Sequence, residues 1–291
     1  MSKPTIIVTG SNGQLGSELK DLAKNDSQHE WIFTTRENLN LSREEDIHAL
    51  FEQYNPEWFI NCAAYTLVDK AESEKEEALA ANAQAPGIIA RECAKNGTKL
   101  IHVSTDYVFH GDGTAPYKPE DPTNPVNFYG ETKLQGENNA LKSNPETIVI
   151  RTSWVYSSYG KNFVKTMRNL MASRSDLNVV ADQKGTPTYA KDLARAIVAI
   201  VASPKQSWGI YHFSNAGEIT WFDFAKAIQE ISGLDCEVHP IPTTDFPTPA
   251  KRPAYSVLDK SKIVENYGID LQDWKNSLID CIHILKENEK N

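Results

Sequence analysis

The tightest constraint on the fold lies at the start of the chain, where the apolar run Thr5-Ile-Ile-Val-Thr9 passes into Gly10-Ser-Asn-Gly13-Gln-Leu-Gly16. A buried strand that ends in a GxxGxxG loop and restarts as a helix needs small residues for a tight turn and for close packing of helix on strand. The same small residues let the backbone approach a pyrophosphate at the helix N-terminus. A plain turn could carry these glycines too; the strand before them and the helix after them favour the phosphate-facing loop of a βαβ unit.

The pattern continues. Helical periodicity over Gln14 to Lys24, Arg43 to Tyr54, Ser73 to Asn96 and Phe128 to Lys142 alternates with strand-like runs at Trp31 to Thr35, Trp58 to Asn61, Lys99 to Ser104 and Thr147 to Arg151. Such alternation predicts an α/β fold, a Rossmann-like doubly wound parallel sheet. Beyond Thr152 the alternation breaks down, and Pro240, Pro242, Pro247, Pro249 and Pro253 mark loops. We therefore expect residues 1–155 to form the dinucleotide-binding domain and residues 156–291 to form mainly a smaller, interleaved substrate-binding lobe. Segments near 179–202 and 209–216 should return to the first domain, with Val179 and Val180 and later Ile210 to Phe213 as strands of the main sheet.

Composition narrows the function. The formal net charge of −9 offers no basic surface for nucleic acid or an anionic membrane. A small phosphorylated ligand stays open, because backbone amides and one or two local cations suffice to hold a phosphate. Cys62, Cys93, Cys236 and Cys281 are scattered without ligand spacing, which reads as reduced thiols in a cytoplasmic protein, and no metal ligand is assigned. The chain enters its first strand at once and has no apolar stretch long enough to span a bilayer, so neither export nor membrane insertion is expected.

Three clusters carry chemistry. At the end of the second strand, Thr34-Thr35-Arg36 stands where NAD-specific proteins place an acidic residue for the adenosine ribose. An arginine there tolerates a 2′-phosphate, so NADPH is expected over NADH, the alternative being an exposed arginine that touches nothing. Tyr129 and Lys133 sit at i and i+4 of a helical pattern, on one face. A nearby ammonium favours the phenolate, so Lys133 is expected to draw the Tyr129 pKa down from about 10 toward a useful value. Between these two clusters, Ser104-Thr105-Asp106-Tyr107 follows an apolar run, at the strand end where open α/β sheets present ligand-binding groups. Carbonyl reduction needs a hydride donor, a proton donor and a group to hold the carbonyl oxygen; a nicotinamide, Tyr129 and Thr105 meet those needs. His102 and His110 are read as structural.

These residues together resemble the extended short-chain dehydrogenase/reductase superfamily and, within it, the dTDP-4-dehydrorhamnose reductases. The resemblance runs nearly end to end. It is carried by the Gly10 to Gly16 loop, Asn61-Cys-Ala-Ala-Tyr-Thr-Leu-Val-Asp-Lys-Ala-Glu72, Ser104-Thr-Asp-Tyr-Val-Phe109 and Asn127-Phe-Tyr-Gly-Glu-Thr-Lys-Leu-Gln-Gly-Glu137. Arg151-Thr-Ser-Trp-Val-Tyr156, Asp182-Gln-Lys-Gly-Thr-Pro187, Thr220-Trp-Phe-Asp-Phe-Ala225 and Pro247-Thr-Pro-Ala-Lys-Arg-Pro253 extend it. It implies reduction of the 4-keto group of a nucleotide-linked deoxysugar by NADPH or NADH, with Thr105, Tyr129 and Lys133 catalytic. Gly10, Gly13, Gln14, Leu15, Gly16, Thr35, Arg36, Asn40, Leu41, Ala64, Tyr65 and Thr66 would line the cofactor. Asp106, Trp154 and Arg252 would join Thr105 and Tyr129 at the substrate.

Two positions depart from the family pattern: His110 stands where Asp or Pro is usual, and Asn40 where aspartate is usual. Some relatives dimerise through magnesium held by glutamates, to which Glu18 would correspond, but the sequence offers no full ligand set; a monomer and a homodimer both remain open. Two other functions fit parts of this reading. One is a sugar-nucleotide epimerase or dehydratase, although Thr105-Asp106-Tyr107 supplies only one carboxylate. The other is a non-catalytic NADP-binding regulatory subunit, which would not need to keep Tyr129 and Lys133.

Overall fold

The computed structural model describes residues 3–290. Its first half runs β1 (Thr5–Thr9), α1 (Gln14–Ala23), β2 (Glu30–Phe33), α2 (Glu44–Tyr54), β3 (Trp58–Asn61), α3 (Val68–Ala71), α4 (Lys75–Leu79), a π turn (Ala80–Gln84), α5 (Ala85–Asn96), β4 (Lys99–Thr105), α6 (Phe128–Ser143) and β5 (Thr147–Thr152). The second half comprises β6 (Val155–Tyr156), α7 (Phe163–Met171), β7 (Asp176–Val180), β8 (Lys184–Gly185), β9 (Thr188–Tyr189), α8 (Ala190–Ala202) and β10 (Gly209–His212). It ends with β11 (Ile219–Thr220), α9 (Trp221–Ser232), β12 (Glu237–Ile241), α10 (Ser261–Tyr267) and α11 (Trp274–Asn288).

Six strands form one sheet in the order β10-β5-β4-β3-β1-β2, and every pairing in it is parallel. Parallel strands buried on both faces read as continuous apolar runs, which is how β1 and β3 were legible. One face carries Ile6, Val8, Ile60 and Ile101 against Leu15 and Leu19 of α1 and Leu193, Ile197 and Ile200 of α8. The opposite face carries Ile7, Phe59 and Leu100 against Ile47 and Phe51 of α2 and Ile89 and Cys93 of α5. The sheet is thus wound on both sides, and its strand order reverses between β1 and β3. Ligand crevices open at the carboxyl ends of strands at such a reversal.

Ile210 to His212 joins the main sheet, pairing with Val149 to Arg151. Val179 and Val180 do not, contrary to the expectation above. They pair in parallel with Pro240 and Ile241 of β12 as a separate two-stranded sheet. The reason is packing: Leu177 and Val179 belong to a second core with Val164, Phe224, Ile228, Leu278 and Ile282, while β10 occupies the edge beside β5.

The long helix expected over Ser73 to Asn96 is also not continuous, because the π turn interrupts it. There α6 passes so close that a Cβ on Gly136 would lie 2.0 Å from the carbonyl oxygen of Asn82. π turns inserted in helices are frequent at functional sites, and this one aims the fully buried Asn82 side chain at two neighbours. Its amide donates to the Tyr65 carbonyl and the Thr132 hydroxyl, both at 3.1 Å, and its oxygen accepts the Tyr65 N–H at 2.8 Å.

Candidate active site

The glycine loop is fastened before any ligand arrives. Gly13 N–H donates to Gly10 at 2.9 Å, and Ser11 N–H donates to Thr34 at 3.1 Å, which ties the loop to the end of β2. Gly10 has φ +68°, and a Cβ on Gly16 would lie 2.4 Å from the Gly10 carbonyl oxygen. No side chain caps α1 at Gly13, and its first turn holds no acidic residue. The first amides of a helix have no partner within it and carry partial positive charge. An uncapped, glycine-bordered helix start of this kind fits a pyrophosphate.

One cleft of about 1390 Å³ runs from that loop across the ends of β1, β2, β3, β4 and β5. It is lined by Gly10, Gly13, Gln14, Leu15, Gly16, Thr35, Arg36, Asn40, Leu41, Ala64, Tyr65 and Thr66, and equally by Thr105, Asp106, Tyr129, Lys133 and Trp154. Residues read from six separate stretches of sequence therefore share one cavity. Arg252 stands apart. It lies outside the lining, and its guanidinium donates to Asp69 at 2.8 Å and to the Ala250 carbonyl at 3.3 Å. Its effect still reaches Tyr107, which lines the cleft and whose ring meets that of Tyr129 edge-on at 5.6 Å.

Tyr129 and Lys133 enter from α6, whose start is capped by the Asn127 side chain accepting Gly130 N–H at 2.8 Å. Glu137 continues the same face one turn on, and its carboxylate receives Arg151 of β5 in a buried fork at 2.8 to 3.2 Å. Lys133 donates to the Val103 carbonyl at 2.7 Å and is itself buried. Burial brings its ammonium down to about 8, against the pull of Glu137 and Cys62. Burial also pushes the Tyr129 phenol up to about 12, with a Thr105 hydrogen bond acting the other way. The expected lowering of that phenol by Lys133 is not seen: burial dominates and holds the phenol above its ordinary value.

Thr105 donates to the Asp106 carboxylate at 3.0 Å and accepts Tyr107 N–H at 3.3 Å. Burial pushes Asp106 up to about 7, opposed by the hydroxyls of Thr105 and Ser256. Trp154 has φ +50°, unusual for a bulky residue and costing roughly 1–3 kcal/mol. Its indole stacks on Trp221 at 3.6 Å and 12° and lies against Gly185, where a Cβ would meet the ring at 2.6 Å. That double contact holds it at the cleft wall.

His102 is buried in β4 with its Nδ1 at 3.1 Å from the Asn61 amide, and desolvation keeps it well below its usual pKa. His110 stands half exposed beside Asp112 at 3.0 Å. Glu18 accepts the Ser157 hydroxyl at 2.6 Å, and burial raises its pKa. Among the described residues no group of three or more His, Cys, Asp or Glu side chains is placed to hold a metal ion. Nor is any described helix long and apolar enough to cross a membrane.

Cleft residues that the sequence reading gave no individual role there include Glu37, Cys62, Glu74, Glu77, Tyr107 and Lys161, and Asn82 and Trp221 pack behind it. Asn82 had a signal, a poor helix former placed among alanines. Trp221 had none, since its stacking partner lies far along the chain.

Residues 4–287 match the family described as the RmlD substrate binding domain. A dTDP-4-dehydrorhamnose reductase of Sinorhizobium fredii is 42% identical over 281 residues, covering 94% of this chain and 94% of that protein. The crystal structure of a dTDP-4-dehydrorhamnose reductase from Clostridium acetobutylicum superposes with a TM-score of 0.94 at 39% identity, covering 97% of this chain and 99% of that one. The Bacillus anthracis dTDP-4-dehydrorhamnose reductase, solved in complex with NADP, gives 0.93 at 35% identity with the same coverage. With a glycine-bordered helix start and a Thr-Tyr-Lys group in one cleft of a doubly wound sheet, the chain belongs to the dTDP-4-dehydrorhamnose reductase family and is an oxidoreductase.

Proposed function

We propose that the chain reduces the 4-keto group of dTDP-4-dehydro-L-rhamnose to give dTDP-L-rhamnose, with NADPH or NADH as donor. The observation that carries this reading is that Thr105, Tyr129 and Lys133 line the same cleft as the Gly10 to Gly16 loop. Bound dihydronicotinamide supplies the hydride.

The chain's own residues do the rest. The α1 N-terminus and the loop amides hold the pyrophosphate. Arg36, exposed at the end of β2, takes the 2′-phosphate that distinguishes NADPH. Asn40, Leu41, Ala64, Tyr65 and Thr66 line the remainder of the cofactor's path. Thr105 holds the carbonyl oxygen, and Tyr129, its proton retained by burial, delivers that proton to the oxygen as negative charge develops there. Lys133 places a cation beside this exchange. Asp106 and Trp154 meet the sugar, with residues 156–291 supplying most of the substrate side and residues 1–155 the cofactor side. Arg252 reaches a diphosphate only by exchanging Asp69 for it.

The test is NADPH oxidation with an enzymatically generated dTDP-4-keto-6-deoxy sugar, with and without a 3,5-epimerase. Turnover is expected only with the epimerase, and Tyr129→Phe should lose roughly 10²- to 10⁴-fold in rate while keeping cofactor affinity. Indifference to the epimerase points to another sugar, and near-normal turnover by Tyr129→Phe removes Tyr129 as the acid.

A further inference from the structure

Three cations line the cleft: Arg36, Lys133 and Lys161. Lys133 is buried and committed to the Val103 carbonyl. Lys161 is exposed and has no hydrogen-bond or ion-pair partner among the described residues. Its position is nevertheless tightly set by its neighbours. Asn162 donates to the Gln14 side-chain oxygen at 2.9 Å, and Gly160, with φ +63°, approaches so closely that a Cβ there would lie 3.1 Å from Gln14 Cγ. The Gln14 amide reaches Val155 at 3.4 Å, Ser157 donates to Glu18 at 2.6 Å, and the Tyr159 hydroxyl bonds Asp21. Residues 155–162 thus form a strap from the second half of the chain, laid across the first turns of α1. Lys161 rises between two residues that both touch Gln14, the first residue of that helix.

Charge makes this placement matter. The other ionisable groups on the cleft wall outside the Tyr129 region include Glu37, Glu74 and Glu77, and the whole chain carries −9. A doubly charged pyrophosphate at the α1 N-terminus would gain from a cation, and Arg36 stands at the other end of the dinucleotide path, past β2. We infer that Lys161 binds the cofactor's pyrophosphate, bringing a point charge from the second half of the chain to a phosphate site otherwise built of backbone amides.

This rests on the cofactor reading above, and the two can fail separately. The experiment is direct titration of the full chain with NADPH and with NADH, by nucleotide fluorescence at low and high salt and without any sugar. It compares wild type with Lys161→Gln, Lys161→Arg and Arg36→Gln. Lys161→Gln is expected to weaken both nucleotides by roughly tenfold at low salt and to lose part of the salt dependence, whereas Lys161→Arg keeps most of the affinity. Arg36→Gln should weaken NADPH alone. Unchanged binding of both nucleotides by Lys161→Gln overturns the assignment; loss confined to NADPH overturns it in favour of a 2′-phosphate contact. If wild type binds neither nucleotide, the cofactor reading itself is wrong and the role of Lys161 falls with it. Because the Lys161 side chain is exposed and unbonded, the variants should melt with wild type, which the same samples can show.

Discussion

Two buried groups in the cleft titrate near neutrality, and they do so in opposite senses. Asp106 is pushed up to about 7 and becomes a carboxylate as the pH rises through that value; Lys133 is brought down to about 8 and loses its charge above it. If the carboxylate grips a sugar hydroxyl and the ammonium supports Tyr129, kcat/KM for the nucleotide sugar should rise toward pH 7 and fall above pH 8. Asp106→Asn should erase the acidic limb and leave the alkaline one. Stability follows the same group with a fixed sign. The folded-state pKa of Asp106 lies above the ordinary 3.8, so its contribution is fully present below that value and is lost as pH rises through 7. Asp106→Asn should therefore melt higher than wild type at pH 8, with the gap shrinking by pH 5; no pH dependence in that gap would contradict the burial argument. At this scale the sequence was most informative where partners are close in the chain. Tyr129 and Lys133 are one helical turn apart and were legible, whereas the Asp69 partner of Arg252 is far from it in sequence and nothing local announces it. The direction of the Tyr129 shift differs from the expectation for a related reason: spacing reveals the lysine one turn away but not the depth of burial that raises the phenol.

Elements were predicted best where one period dominates. β1 and β3 match their expected limits, and α1 and α2 match within a residue or so, because their apolar positions face a core on a regular repeat. The π turn was invisible, since its cause is the passage of α6, which no periodicity in Ser73 to Asn96 records. That contact gives a sharp prediction. Gly136→Ala improves helix propensity in α6, yet its methyl would stand 2.0 Å from the Asn82 carbonyl. Overpacking of this kind costs roughly 1–3 kcal/mol and outweighs the propensity gain. Urea unfolding should show the loss. Because Asn82 also holds Tyr65 and Thr132, kcat should drop further than the stability change alone would explain. A neutral or stabilised Gly136→Ala would mean that α6 and the π turn separate at little cost.

Across the whole molecule, residues 250–252 act as a staple between the two halves. Asp69, just past the cleft-lining segment Ala64 to Thr66, accepts the Ala250 N–H at 3.2 Å and the Arg252 guanidinium at 2.8 Å. Asn127, the cap of α6, donates to the Lys251 carbonyl at 2.8 Å. The Asp69–Arg252 pair is partly exposed, so its loss should alter stability by no more than about 1 kcal/mol. Its effect should appear in the site instead: Asp69→Asn frees Arg252 for the substrate diphosphate and is expected to lower KM for the nucleotide sugar several-fold while nucleotide cofactor affinity stays constant. Steady-state kinetics beside a melting curve separate these, and a large drop in melting temperature with unchanged KM would make the pair merely structural. The irregular second half resisted sequence reading because its strands are mostly two residues long and its core is gathered from β6 through α11.

The return of β10 to the main sheet also bears on how the chain is made. During synthesis β5 emerges well before Gly209 to His212, the strand that covers its outer edge. Until β10 arrives, a nascent chain presents an open parallel edge of Thr-Ile-Val-Ile, a template for pairing with other chains. The finished sheet no longer displays that edge, because β10 covers it.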